Sequence, residues 1–377
     1  MSITPLASNE EALGPFAKWH DGRIHGVFKC QPPALQWLFG DRMLKDRGHI
    51  ITGVGGTSKT MTLYHLAIAA VLGILPWSWR IDLTGSAALF LAEDTVDDMH
   101  RSLHRLGETL SEAQRKRLVK QLRVYPLAGK QPILLALAPG QRLVETAAYG
   151  WVMEQIDKLP KPVAFIGIDP ALGVTEGAEL SPAHQPRLGE LVDRIAIDAD
   201  ACTVLTTHAA KGIHQLDELG SHSSRGSGAI TDAVRGEFTL RNMTADEARR
   251  YGVTDIVERK RYVQLAATKG NRMPPEAFAP VWLYRGTGGL LSEVTLDQVE
   301  RGSIGDRERK ALEILQATNA HGETAMKFWR AQCEAAGLLP ASQGLRAREK
   351  AMERIRDALV AAGLVGKGKV RGLWVPT

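Results

Sequence analysis

One loop and three strand ends in this chain have the residue types and spacing for phosphate chemistry. The loop reads Gly53-Val54-Gly55-Gly56-Thr57-Ser58-Lys59-Thr60. A short apolar piece, His49-Ile50-Ile51, precedes it, and an apolar stretch of helical character, Met61 to Leu72, follows. Strand, glycine-rich loop, Lys-Thr and helix make the P-loop arrangement. Glycines let successive backbone N–H groups face one anion, and the helix N-terminus adds its dipole. Lys59 sets a cation on the phosphates, and the Thr60 hydroxyl ligates a Mg²⁺ that keeps much of its water shell. Gly53, Gly55, Gly56, Thr57, Ser58, Lys59, Thr60 and Met61 are thus the candidate nucleotide-binding residues. The usual pattern is G-x-x-x-x-G-K-[ST]. Ser58 stands where its last glycine is normal, so its backbone is expected in a conformation open to an L-residue.

Three apolar runs end in polar groups. Ser86–Ala92 runs into Glu93-Asp94, Pro162–Ile168 into Asp169, and Cys202–Thr207 into His208. In α/β P-loop folds the site lies at the carboxyl ends of the strands. Asp169 reads as the Walker-B acid, so Thr60 and Asp169 are the candidate metal residues. Glu93 is a candidate base that orients the attacking water. His208 is placed to sense the γ-phosphate.

The elements that must position these groups alternate. Strand-like runs are separated by helical stretches, one through Met99, Leu103 and Leu106 and others at 112–121, 142–159 and 187–200, the order of an α/β core with a mostly parallel sheet. Two further strands, 236–241 and 262–269, flank a helical insert at 245–251, and a hairpin over 281–294 closes the core. Pro76-Trp77-Ser78-Trp79-Arg80 looks like an exposed loop. Residues 1–30 read as an N-terminal arm, 31–298 as the ATPase core and 305–377 as a separate module. In that module three short helices and a basic Gly-rich hairpin fit a winged helix-turn-helix.

Composition bounds the rest. Apolar residues make up 44% and charged residues 24% of 377, ordinary for a soluble globular chain. Cys30, Cys202 and Cys333 lie far apart with no C-x-x-C spacing, which argues for a reducing, cytoplasmic setting. The N-terminus lacks a basic signal-like segment. The longest stretch free of acidic residues, Lys and Arg, Thr60 to Trp79, is interrupted by Thr62, His65, Pro76 and Ser78, so no membrane span is expected. Residues 305–377 hold 13 Lys/Arg against 8 Asp/Glu, a difference equal to the +5 of the whole chain. A basic module on a near-neutral body points to a polyanionic partner or to a solvated helical surface.

Leu91-Ala92-Glu93-Asp94, Ile168-Asp169, Thr207-His208-Ala209-Ala210-Lys211-Gly212, Ser224-Arg225-Gly226-Ser227, Asp232-Ala233-Val234-Arg235 and Thr268-Lys269-Gly270-Asn271, in this order after the P-loop, resemble the RepA-type hexameric helicases of plasmids and phages. These belong to the RecA/DnaB-like ATPases, and the resemblance covers about residues 30–295. It implies ATP and Mg²⁺ as ligands, a ring of six subunits with ATP sites between neighbours, and single-stranded DNA in the channel. By position it gives Lys59 and Thr60 phosphate and Mg²⁺, Glu93 the catalytic carboxylate, Asp169 the Walker-B acid and His208 the sensor. Arg235 matches the arginine finger that reaches the neighbour's γ-phosphate, and Arg225 is a second candidate. For both arginines a DNA-phosphate contact or a surface ion pair is the alternative. The family often carries two histidines at the sensor, where this chain has Thr207-His208.

Lys211 on the 211–223 loop would face the channel and contact DNA backbone. In the C-terminal module, Arg346, Arg348 and Lys350 on the third helix, with Lys367, Lys369 and Arg371 on the hairpin, are the candidate duplex contacts; docking of protein is the alternative. The whole pattern implies an ATP-driven helicase or translocase in replication of a plasmid, phage or mobile element, with a primase or initiator as a further partner. A nucleotide-switched DNA-binding adaptor, or a RecA-like recombination or partition ATPase, are the other readings.

Overall fold

A computed structural model of the chain describes residues 34–74, 77–139, 142–176, 184–209, 228–253, 255–297, 305–319, 324–339, 344–368 and 373–376. The chain divides into two compact units, Met1–Gln36 and Trp37–Thr377. The arm expected over 1–30 lies outside the described residues.

The second unit opens with an antiparallel pair, β1 (Trp37–Phe39) and β2 (Met43–Leu44). Next, β3 (Gly48–Gly53) runs into the phosphate loop and α1 (Lys59–Leu72) leaves it. After β4 (Ser86–Leu91) come α2 (Val96–Gly107), α3 (Glu112–Gln121) and β5 (Leu122–Pro126). A small hairpin, β6 (Leu135–Ala138) and β7 (Arg142–Glu145), precedes α4 (Ala147–Asp157). Then follow β8 (Val163–Asp169), the short α5 (Ala171–Val174), α6 (Gln185–Ala199) and β9 (Cys202–His208). The core ends with α7 (Gly228–Ala233), β10 (Gly236–Asn242), α8 (Ala245–Arg250), α9 (Ile256–Arg259), β11 (Tyr262–Gly270), β12 (Val281–Arg285) and β13 (Leu291–Val294).

Among the described residues, nine strands form one sheet in the order β13-β12-β11-β10-β3-β9-β8-β4-β5. Neighbours from β10 to β5 are parallel, and β10 through β13 pair antiparallel. Parallel strands covered on both faces need apolar side chains on both, and β3, β4 and β8 are buried at every position. One face packs against α1 through Leu63, Leu66, Phe165 and Phe238, the other against α4 and α6 through Ile156, Leu188, Val192 and Ile195. The chain is therefore a mixed α/β protein with a mostly parallel central sheet. The uncharged run after Lys59 is accounted for as α1, buried nearly all round. Among the described residues no helix is long and apolar enough to cross a membrane.

Two expectations are corrected. Trp77 and Trp79 are buried, packing on His65, Phe39 and Phe238, so these two side chains cover the core while Ser78 and Arg80 are exposed. The helical spacing read over 142–159 begins only at Ala147, because Arg142–Glu145 pairs with Leu135–Ala138.

The C-terminal residues have a core of their own. It is built from α10 (Asp306–Thr318), β14 (Thr324–Ala325), α11 (Met326–Ala335), α12 (Leu345–Ala361), β15 (Val365–Lys367) and β16 (Leu373–Pro376). The strands pair antiparallel in the order β14-β16-β15. Trp329, fully buried, donates through Nε1 to the carbonyl of Ala311 at 2.8 Å, and Met352, Ile355 and Leu359 supply the α12 stripe.

Candidate functional site

The phosphate loop joins the buried end of β3 to the first turn of α1. Gly53 is required by space: a Cβ there would stand 2.5 Å from Thr57 Oγ1 and 2.8 Å from the carbonyl of Leu240. Thr57 turns inward and donates through Oγ1 to the carbonyl of Val54 at 2.8 Å, which pins the loop from inside. Gly55 and Gly56 line open space, with no atom within 4 Å of where a Cβ would sit. That open, side-chain-free concavity at a helix N-terminus is an anion cradle.

Ser58 departs from expectation. Its φ of 70° and ψ of 31° are left-handed, the region a glycine supplies freely. For an L-residue this costs about 1–2 kcal/mol. The Ser58 carbonyl accepts from the backbone N–H and the hydroxyl of Thr62, each at 2.9 Å, and its own hydroxyl accepts from Arg285 Nε at 2.7 Å. Met61 presents its side chain to the apolar core beside the β12–β13 turn, so only its backbone borders the loop.

Lys59 is 7% exposed. Its Nζ donates to the carbonyls of Gly53 at 2.9 Å and Val54 at 3.2 Å, and lies 3.5 Å from His208 Nδ1. The register explains the last contact, since His208 on β9 pairs with Gly53 on β3. Asp169 ends β8 at 5% exposure, and each carboxylate oxygen accepts from a hydroxyl: Oδ2 from Thr60 at 2.5 Å and Oδ1 from Thr206. Glu93 is exposed just past β4, on the same sheet edge, because Leu91 pairs with Asp169. The loop, Glu93, Asp169 and His208 therefore converge at the carboxyl ends of four adjacent strands, as the sequence implied.

Arg235 does not join them. It precedes β10, its N–H donates to the carbonyl of Gly48 at 3.1 Å, and Gly236 pairs with His49 while Leu240 pairs with Gly53. Its exposed side chain thus leaves the opposite edge of the sheet, roughly 15 Å from the loop by strand rise. Arg225 and Lys211 lie outside the described residues, as do Lys369 and Arg371. Arg346, Lys350 and Lys367 are exposed. Arg348 is only 33% exposed and stands 3.7 Å from Glu334, which makes it a structural ion pair.

Three residues escaped the sequence reading. Asp94 is half-buried, and burial, helped by Asp169, Asp98 and Glu93, raises its carboxyl to about 6. Glu237 on β10 is buried and accepts from Thr52 at 3.0 Å and Thr268 at 2.9 Å, buttressing β3 just before the loop; burial raises its pKa. Thr52 in turn shares a 3.0 Å hydrogen bond with Thr207, next to His208. Arg285, from the far side of the sheet, is the third. A polar residue inside an apolar strand is the signal available for Glu237, and the acidic pair closing an apolar run is that for Asp94; Arg285 carries none.

The donor set fits a Mg²⁺-bound nucleoside triphosphate. Among the described residues no group of three His, Cys, Asp or Glu holds a metal by itself. One hydroxyl and one carboxylate 2.5 Å apart suit a hard cation whose remaining ligands are phosphate and water. The family comparison agrees with this geometry. Residues 17–213 match the model of the AAA domain. That span is more than half of the chain and contains the loop, Glu93, Asp169 and His208, so the chain belongs to the AAA-domain family of P-loop ATPases.

Proposed function

We propose that this ATPase works as a ring of six subunits, with single-stranded DNA in the channel, as a helicase or translocase of the RepA type in replication of a plasmid, phage or mobile element. The observation that carries this reading is the position of Arg235, exposed on the sheet edge opposite its own phosphate loop. A cation there is of no use to its own site and suits a neighbour's.

In this reading the loop N–H groups and Lys59 hold the phosphates, while Thr60 and Asp169 hold the metal. A bound Mg²⁺ neutralises phosphate charge. Glu93, exposed and two residues past Leu91, orients and polarises the attacking water. His208, beside Lys59, registers loss of the γ-phosphate. The neighbour's Arg235 adds charge that the single subunit lacks, which couples assembly to turnover.

The C-terminal helices and strands have the order of a winged helix, and a groove of about 610 Å³ between α10 and α12 supports DNA contact there. It is lined by Arg307, Lys350 and Arg354 with Leu338 and Ala351, and among the described residues no acidic side chain lines it. Lys350 remains a DNA candidate with Arg346 and Lys367, and Arg307 and Arg354 join them. Loading by a primase or initiator fits the same role.

A second reading, a nucleotide-switched DNA-binding adaptor, draws on the strained Ser58. Sizing the protein with and without ATP and forked DNA, while following ATP turnover and strand separation, separates the two. A closed six-subunit species with DNA-stimulated turnover is expected. Binding of ATP and DNA without turnover would support the adaptor and sink the helicase. Open filaments would favour a recombination-type ATPase.

A further inference from the structure

Arg285 ends β12, 227 positions from Ser58 in sequence, yet its guanidinium closes on the phosphate loop. All three of its nitrogens are used on neutral acceptors. Nε donates to Ser58 Oγ at 2.7 Å, Nη2 to Asn242 Oδ1 at 2.7 Å and Nη1 to the carbonyl of Lys260 at 2.7 Å. Among the described residues no carboxylate pairs with it. It is half-buried beside a loop shaped for anions. A planar fork fixed at two points can hold a third in one geometry, which a lysine on a flexible stem cannot.

The third point is the non-glycine residue of the loop that stands, like Gly56, in the left-handed region L-residues avoid. Ser58 also puts a side chain where the P-loop pattern has glycine. The Ser58 backbone conformation decides where the N–H groups of Ser58, Lys59 and Thr60 aim. Strain that would otherwise relax must be held by a neighbouring group.

We infer that Arg285 is a positioning residue of the nucleotide site, holding Ser58 in the left-handed turn that keeps the phosphate cradle formed. The serine and the arginine act as one device that replaces the glycine of the usual loop. This rests on the P-loop reading of the site, and the device makes nucleotide affinity depend on the β12–β13 side of the sheet.

The test is a double-mutant cycle on the full chain, reading the dissociation constant of a fluorescent ADP analogue with Mg²⁺. Arg285→Ala is expected to weaken binding about tenfold, the equivalent of about 1.4 kcal/mol. Ser58→Gly sets the reference affinity of a second background, one in which glycine needs no holding. In the Ser58→Gly background, Arg285→Ala is expected to lose less than about threefold. Arg285→Lys, which keeps the charge without the fork, is expected to behave like Arg285→Ala, and it serves where the alanine variant fails to fold. Equal losses in the two backgrounds would overturn the inference while leaving the P-loop reading intact, as would wild-type binding by Arg285→Lys. Lys59→Ala is the control: unchanged binding there would remove the P-loop reading and the device with it.

Discussion

Thr60 Oγ1 donates to Asp169 Oδ2 across 2.5 Å, joining the first turn of α1 to the tip of β8. The other Asp169 oxygen accepts from Thr206 on β9, so the carboxylate is fixed from two sides. A carboxylate held this way is preorganised for a cation and needs little rearrangement to accept one. Thr60→Ala and Asp169→Asn are each expected to lower ATP turnover roughly 10²–10³-fold, the scale of losing one preorganised electrostatic group. Because the two residues act as a unit, the double variant should be little worse than the poorer single one. Turnover constants for the three variants across a Mg²⁺ titration check this; multiplicative losses would show independent roles.

Asp94 gives a pH prediction of definite sign. Its folded pKa is raised from 3.8 to about 6, chiefly by burial and then by Asp169, Asp98 and Glu93. Between those values the folded state binds more protons than the unfolded state, so stability falls as pH rises through the window. Above about pH 6 the penalty is complete. Screening at this half-buried site holds it to about 1–2 kcal/mol. Asp94→Asn removes the charge at nearly constant shape. Urea unfolding at pH 4.5 and pH 8 should find the variant more stable than wild type at pH 8, with the difference cut to about a third at pH 4.5. A difference that does not grow with pH would count against the assignment.

Much of this site was legible because parallel strands advertise themselves. Apolar runs buried on both faces must end where the sheet meets solvent; after β4 and β8 the first polar group, and in β9 the first residue that is not buried, is a candidate site residue. The parallel register then brings Glu93, Asp169 and His208 to one edge without further information. What local pattern could not give was long-range pairing. The Arg285 contact with Ser58 spans 227 positions, and a serine in place of glycine does not announce a left-handed backbone. Trp77 and Trp79 sit between polar and proline residues yet are buried, because they cap a core built by distant Phe39 and Phe238. At Arg142–Glu145 an alternating segment runs straight into α4, and Leu143 and Ala147 share helical spacing across the boundary.

Arg235 supplies the sharpest test of assembly. Its backbone is locked at the start of β10 by the Gly48 carbonyl and the Asn271 N–H, so the side chain cannot swing across the sheet to its own loop. If it completes a neighbour's site, a subunit carrying Arg235→Ala keeps an intact loop but offers no finger. A Lys59→Ala subunit offers a finger but has no working loop. Each variant alone should turn over ATP at least about 10³-fold more slowly than wild type, the lower end of what an arginine finger contributes. Mixed in equal amounts and reassembled, they place some wild-type fingers against wild-type loops. In a randomly mixed ring about a quarter of the interfaces are then complete, so turnover should recover to roughly a tenth or more of wild type. Activity that stays at the level of the separate variants, under conditions where labelled subunits are seen to exchange, would mean that Arg235 serves its own chain or none.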